Sequence, residues 1–580
     1  MILVPQSKID DYVGQGWWGE QTLADLFIDT AERQPACFAV ADPPNRRQLT
    51  GTDAQRWSWG DLLDQVGRYA ALFHAQGLRK DDIVVLQLPN CVEMHAVYLA
   101  CAVSGIIVSP VPMQYRAHEL THVLASTGAR LAITTARVGN YRAAAQWAAH
   151  DSQFESLAQI WAYGDADATD ALPAGVLALE PALCKTAAWS AAEMRAHMRA
   201  IDLSAHDVFT LCWTSGTEAR PKGVPRNHNE WLIVGQNVVE AGGLQPGAQQ
   251  LIPFPFVNMA GVSTSLVAWL TVGGGLHHHH PFDIDVFIEQ LRTNPVDYTV
   301  AAPAVLSMLL KEPGKLDGVD LGRLQRVGSG GGPLPDWLVE QFAQRFGVEV
   351  VNYFGSNEGA ALSSTPQDIP ERTHRARYFP RMGVPGYEWS LSNAKKVRTR
   401  LADLDTGEDI TAPGRVGELR FQGPTIFSGY FKAPELTARA FDAQGYYCTG
   451  DLFEIAGERG QFYLFAGRHK DIVIRGGMNI SSEEVESLLL GRPKVREAAV
   501  VGCPDPVLGE RVCAVVVPQP GMVVTLPELV DFLRHEKEVA AFKLPEKLLI
   551  QDLLPRNPVG KVLKRELRQL LAQASDKAAA

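Results

Sequence analysis

The sequence predicts an α/β fold: a large N-terminal domain of stacked α/β sheets with a β-rich subdomain, then a small α+β C-terminal domain. Three observations carry this expectation. Short apolar runs alternate with amphipathic stretches through the first part of the chain, the pattern of parallel strands joined by helices. Beyond about residue 400 the texture becomes that of turns feeding short strands. Beyond Arg468, a compact piece of about 110 residues has helices and strands of its own.

Each element has a local reason. Residues 83–88 (IVVLQL) form a buried-strand run, punctuated by Pro89-Asn90, and residues 92–103 then read as a helix. Residues 106–111 and 131–134 are further short apolar strands. The stretch 165–189, rich in Ala and Asp, is weakly patterned and reads as surface elaboration. In the last piece, Ser481-Ser482-Glu483-Glu484 supplies an N-cap for a helix over 482–490. Strands over 498–501 and 512–517 and a helix over 526–536 follow, and the small polar tail 573–580 is expected to fray. No internal repeat is visible. The expected division is 1–468 and 469–580.

Composition narrows the function classes. The chain has 580 residues, 46% apolar and 21% charged, with a net charge of −11. That balance suits a globular protein and argues against a general grip on nucleic acid, which needs a basic face. The first twenty residues lack the basic-then-apolar pattern of a signal peptide, and no apolar run reaches membrane-spanning length. The chain is expected to be cytoplasmic, or at most peripheral, and monomeric or homodimeric. The eight cysteines form no CxxC pair and read as buried free thiols. His277 to His280 is a run of four histidines; as a strand it would send two to each face, a poor metal-ligand set, and a solvated or partly packed strand is expected.

The chemistry-bearing signal is Thr214-Ser215-Gly216-Thr217-Glu218-Ala219-Arg220-Pro221-Lys222-Gly223, fed by the apolar run 209–213. Hydroxyls, small residues and a lysine in one loop suit a phosphate, and the Walker A spacing is absent. The loop resembles the phosphate loop of the adenylate-forming superfamily, TSGTTGxPKG, with Glu218 and Ala219 as departures. That superfamily holds acyl-CoA synthetases, luciferases and peptide-synthetase adenylation domains. A carboxylate is unfavourable beside phosphate, so the expected contacts are Thr214, Ser215, Gly216, Thr217 and Lys222.

Further motifs follow in the superfamily's order. Val327-Gly328-Ser329-Gly330-Gly331-Gly332-Pro333 resembles the segment bordering adenine and acyl group, where glycines let a flat ligand approach. Tyr353-Phe354-Gly355-Ser356-Asn357-Glu358 resembles YGxTE: an aromatic beside adenine, an amide able to bond the nucleotide, and Glu358 on Mg²⁺. Tyr447-Cys448-Thr449-Gly450-Asp451 resembles YxTGD, which implies that Asp451 holds the ribose hydroxyls. Gly467-Arg468-His469-Lys470-Asp471 resembles the hinge, with Arg468 on ribose or phosphate and Lys470 as pivot. Gly477 matches the loop that borders the thiol tunnel, and Lys561, in Pro558-Val559-Gly560-Lys561, matches the terminal catalytic lysine.

The resemblance implies ATP, Mg²⁺ and coenzyme A, with the small C-terminal domain mobile between two half-reactions. It implies ligation of a small carboxylic acid to CoA, or alternatively transfer of an aryl or acyl group to a carrier protein's phosphopantetheine arm. A non-enzymatic binding protein on the same scaffold is disfavoured by the intact Glu358, Asp451, Arg468 and Lys561 set. For the acid pocket, residues 253–261 occupy the place of the superfamily's PLFHxxG segment. Asn258, Met259 and Val262 are the candidate contacts, Asn258 either facing the acid or serving as a structural amide. A medium-sized apolar, alicyclic or aromatic acid is the expected substrate.

Overall fold

The computed structural model describes residues 1–149, 156–164, 171–214, 221–311, 314–332, 334–468, 471–475, 478–505, 508–537, 539, 541–557 and 562–579. Among them, four sheets organise the chain. Ile83–Leu86, Ile107–Pro110 and Leu131–Thr135 are parallel neighbours in a seven-stranded sheet, flanked by Gln159–Tyr163 and Val176–Ala178 on one side and Val208–Thr214 on the other. Its last strand, Lys222–Asn227, is antiparallel. An eight-stranded sheet runs from Ala361–Ser364 through Glu349–Gly355, Arg326–Gly330, Tyr298–Ala301, Gln249–Ile252 and Gly275–His278 to Phe38–Ala41 and Arg56–Ser58.

The largest apolar core lies between these sheets, filled by the helices Trp59–Ala75, Val92–Ser104 and His228–Gly242. Every residue of Val92–Ser104 is buried, which explains why that segment is apolar all round rather than on one stripe. The β-rich subdomain is a five-stranded sheet, ordered Tyr378–Pro380, Phe462–Arg468, Tyr447–Ala456, Val416–Gln422 and Arg398–Ala402. The last unit builds its sheet on the hairpin Val495–Asp505 and Gly509–Pro518, covered by Ser482–Leu490 and Leu526–Asp531. No described helix is long and apolar enough to cross a membrane.

Several expectations change. Of the stretch 165–189, residues 165–170 lie outside the described residues, and the rest is not mere elaboration: Val176–Ala178 adds an edge strand, and Leu179–Lys185 sends Leu179 and Leu183 into the core. The histidine run is packed, not solvated. His277 and His278 are 1–2% exposed because the strand Gly275–His278 is interior in its sheet, and His279, just past it, is buried against Phe282 and Phe287. The Nε2 of His278 lies 3.1 Å from the Nδ1 of His95, whose own Nε2 is 2.9 Å from the Ser265 carbonyl. Cys503 and Cys513 pair across the final hairpin, and Cys37 and Cys184 are exposed; buried free thiols describe Cys91, Cys101 and Cys212. The helix expected over 526–536 ends in a wider turn, Phe532–Glu536, and the tail continues the helix Lys564–Ala579.

Candidate active site

Thr214 and Lys222 are cross-strand partners in the antiparallel pair that closes the phosphate-type loop. Ser215, Gly216 and Thr217 lie outside the described residues. The Lys222 ammonium sits 5.2 Å from the ring centre of Tyr430. The Tyr430 hydroxyl donates to Glu358 Oε1 at 3.0 Å, so a cation, a phenol and a carboxylate from three distant segments meet in one place.

Glu358 is buried, on a turn closed by the Ser356 amide donating to the Ala360 carbonyl and the Gly359 amide donating to the Ser356 carbonyl. Gly359 needs glycine. Its φ is +99°, and a Cβ would fall 1.8 Å from the Thr425 carbonyl oxygen. The Phe427 amide donates to the Glu358 carbonyl, tying the turn to the segment that carries Tyr430. Burial, with the Glu358 carboxylate nearby, pushes the Tyr447 phenol well above its usual range.

The Asn357 side chain is committed within the protein. Its Oδ1 accepts from the Met259 amide at 2.7 Å, and its Nδ2 donates to the Trp213 carbonyl at 3.2 Å. The amide expected at the nucleotide also braces the phosphate-loop strand, the acid-pocket segment and the Glu358 turn.

Gly330 pairs with Tyr353 at the end of the central ladder. A Cβ on Gly330 would meet the Tyr353 carbonyl at 2.6 Å, whereas Gly331 (φ +80°) and Gly332 border open space among the described residues. Tyr353 turns inward, its hydroxyl 2.8 Å from that of Tyr298. Phe354 points to the opposite face, among Phe379, Phe421, Phe453 and Phe465, and Gly355 is exposed. The next motif is equally ordered by register. Asp451, 2% exposed, stands opposite Arg468 on neighbouring strands. The Asp451 amide donates to Thr449 Oγ1, whose hydroxyl donates to the Leu419 carbonyl. Lys470, Gly477 and Lys561 lie outside the described residues.

In the acid-pocket segment, Asn258 caps the short helix Met259–Val262 by accepting from the Gly261 amide. This bond is of the kind the structural-amide alternative requires. A Cβ on Gly261 would meet the Pro255 carbonyl at 2.1 Å, which fixes the turn. Met259 and Val262 are both buried.

Two residues to which the sequence reading gave no role at the site stand directly behind Glu358. Arg226 and Glu230, both nearly fully buried, form an ion pair at 3.4 Å. Burial pushes the Glu230 carboxyl up to about 7 despite Arg226 opposing it. An arginine and a glutamate four residues apart were visible in the sequence, but nothing local marks the pair as buried.

Comparison with known proteins fits this geometry. Residues 32–431 match the model for AMP-binding enzymes, and residues 484–561 match the C-terminal domain of AMP-binding enzymes. The chain belongs to the AMP-binding, adenylate-forming enzyme family. It is 30% identical to the medium-chain fatty-acid–CoA ligase of Escherichia coli, over 96% of this chain and 92% of that one. It is 28% identical to the 2,3-dihydroxybenzoate-AMP ligase of Bacillus subtilis, over 98% and 97%. Among solved structures, ATP-bound MatB from Rhodopseudomonas palustris superposes with a TM-score of 0.74 at 25% identity, covering 95% of this chain and 99% of the other.

The described residues fit the nucleotide that the family uses. Gly331 and Gly332 are exposed, with nothing within 4 Å of where a Cβ would sit, and Lys222 supplies a cation. Glu358 is a hard oxygen donor of the kind Mg²⁺ takes alongside substrate phosphates.

Proposed function

We propose that this protein is an ATP-dependent acid–CoA ligase that forms an acyl-adenylate and then a thioester, on a medium-sized apolar, alicyclic or aromatic acid. The observation that carries the reading is the meeting of Lys222, Tyr430 and Glu358.

The chemistry follows from charge. A carboxylate resists thiol attack because its leaving group is poor. Attack of the carboxylate oxygen on the α-phosphorus of ATP breaks the bond to pyrophosphate and leaves AMP as a good leaving group. Two anions must approach, so positive charge has to be fixed in place beforehand. Lys222 with the phosphate loop holds the β- and γ-phosphates, and Lys561 bridges the carboxylate and the α-phosphate. Glu358 holds Mg²⁺, which when bound offsets phosphate charge. Asp451 and Arg468 orient the ribose. In the second half, a CoA thiol reaches the adenylate past Gly477, after residues 469–580 have turned about Lys470 relative to residues 1–468.

Met259 and Val262 support an apolar acid, and the relative acting on medium-chain fatty acids points the same way. Similarity to a 2,3-dihydroxybenzoate-AMP ligase favours a second reading, in which the acceptor is a carrier protein's phosphopantetheine arm. We place the enzyme in the cytoplasm as a monomer or homodimer. Pyrophosphate release, measured across alkyl, alicyclic and aryl acids with CoA, with a carrier protein and with neither, tests the proposal. Thioester formation with free CoA is expected. Turnover only with carrier protein selects the second reading, and acid-independent release rejects both.

A further inference from the structure

Arg226 is 1% exposed, and it lies on the strand that begins with Lys222. Its guanidinium makes three polar approaches. Nη1 donates to the Asn357 carbonyl at 3.0 Å, Nη2 donates to the Glu230 carbonyl at 3.3 Å, and Nε lies 3.4 Å from Glu230 Oε2. The group also lies 4.9 Å from the centre of the Trp231 ring, whose Nε1 donates to Thr210 Oγ1. A Cβ on Gly359 would come 2.8 Å from Nη1. The turn that carries Glu358 is thus held between Arg226 on one side and the 425–430 segment on the other.

Burying a charged pair is costly, and well-packed apolar residues of the same volume commonly serve stability as well or better. What an apolar residue could not do is donate to the Asn357 carbonyl, one peptide before Glu358. Glu230 neutralises the guanidinium, and its Oε2 accepts from the Asn227 amide, so the pair is anchored at the start of helix His228–Gly242. Lys8 adds a further favourable charge near Glu230. Charges therefore alternate from Lys8 through Glu230 and Arg226 to Glu358.

We propose that Arg226 is a positioning residue for adenylate formation: by holding the Asn357 carbonyl from within the core, it fixes the turn that presents Glu358 to the nucleotide. The proposal rests on the acid-activating function proposed above.

The test uses the full chain with Arg226→Met and Glu230→Gln together, which removes both members of the buried ion pair at once. Amide exchange at Ser356 and Gly359 is expected to quicken at least tenfold, while exchange in helix His228–Gly242 beyond its first turn stays unchanged. Acid-dependent pyrophosphate exchange is expected to fall about 10²-fold, the scale of a misplaced catalytic group. Thioester formation from pre-made acyl-adenylate should stay within twofold. Equal loss in both halves, or a turn whose exchange does not change, would overturn the proposal. If the double variant does not fold, Arg226→Lys decides: adenylation slowed about tenfold supports the hold, and full activity refutes it. Absence of acid-dependent pyrophosphate release in the unaltered protein would instead defeat the functional reading, while the exchange measurement would still judge the clamp.

Discussion

Asp451 stands directly opposite Arg468 in the antiparallel ladder of the β-rich subdomain, so an acid and a base proposed to hold one sugar share a single register position. If the Asp451 carboxylate accepts from the ribose hydroxyls, Asp451→Asn weakens two charge-assisted bonds. Such bonds contribute about 1.5–3 kcal/mol each. The KM for ATP is expected to rise at least tenfold, and the preference for ATP over its 2′-deoxy form to disappear. A KM comparison of both nucleotides on both proteins checks this.

Lys561→Ala should abolish adenylate formation and largely spare thioester formation from supplied acyl-adenylate, because the terminal lysine is assigned to the first half only. Rates of the separate half-reactions measure it. Equal loss in both would end that division of labour.

Lys470→Pro restricts the backbone at the proposed pivot. Pyrophosphate exchange should persist while thioester formation stops. Nearby, Gly467 has φ +116°, and a Cβ there would sit 2.8 Å from Glu483 Oε2 at the start of the C-terminal unit's first helix, so the approach to this pivot is already close. Survival of both half-reactions would show that the turning point lies elsewhere.

Lys311 reaches from the large domain to donate to the Leu490 and Val495 carbonyls, each at 3.0 Å, and burial lowers its ammonium to about 8. Lys311→Met removes both bonds. Local opening between the two units should become easier by about 1–2 kcal/mol, a roughly 5- to 30-fold effect. Limited proteolysis near residues 469–481 reads it, since cleavage tracks the open population.

His95 is held neutral by burial, its pKa lowered to about 4, against the Ser265 carbonyl and His278. Unfolded histidine titrates near 6.5, so between these values the unfolded chain binds the extra proton. Stability tied to His95 is present above about pH 6.5 and is lost as pH falls toward 4, at up to ~1.4 kcal/mol per pH unit. The Asp42 and Glu230 carboxyls, raised by burial, work in the opposite sense, so the comparison must be with His95→Gln. Denaturant unfolding from pH 4.5 to 7 should give a shallower acid limb for that variant.

The sequence made the motif residues legible because their spacing is local: a strand, a small-residue loop and a lysine, or a strand ending at Asp451. The alternation of strand and helix was legible for the same reason. What escaped depends on contacts between segments far apart. Nothing near Asn357 signals that its amide joins residues 213 and 259. Nothing near Tyr430 signals that it lies over Lys222. The histidine run looked polar, and only its interior place in the sheet makes it core. The strand Val176–Ala178 escaped because three residues cannot establish a period.

The brace formed by Asn357 sets a rule for redesign. Side chains at Met259 and Val262 can be exchanged to admit a different acid while the Met259 amide stays where it is. Grafting a foreign loop that shifts that amide would pull on the carboxylate turn, so a catalyst altered in this way would change its appetite for nucleotide along with its choice of acid. Variation in substrate range within such a scaffold is therefore easiest through side chains hung on an unmoved backbone.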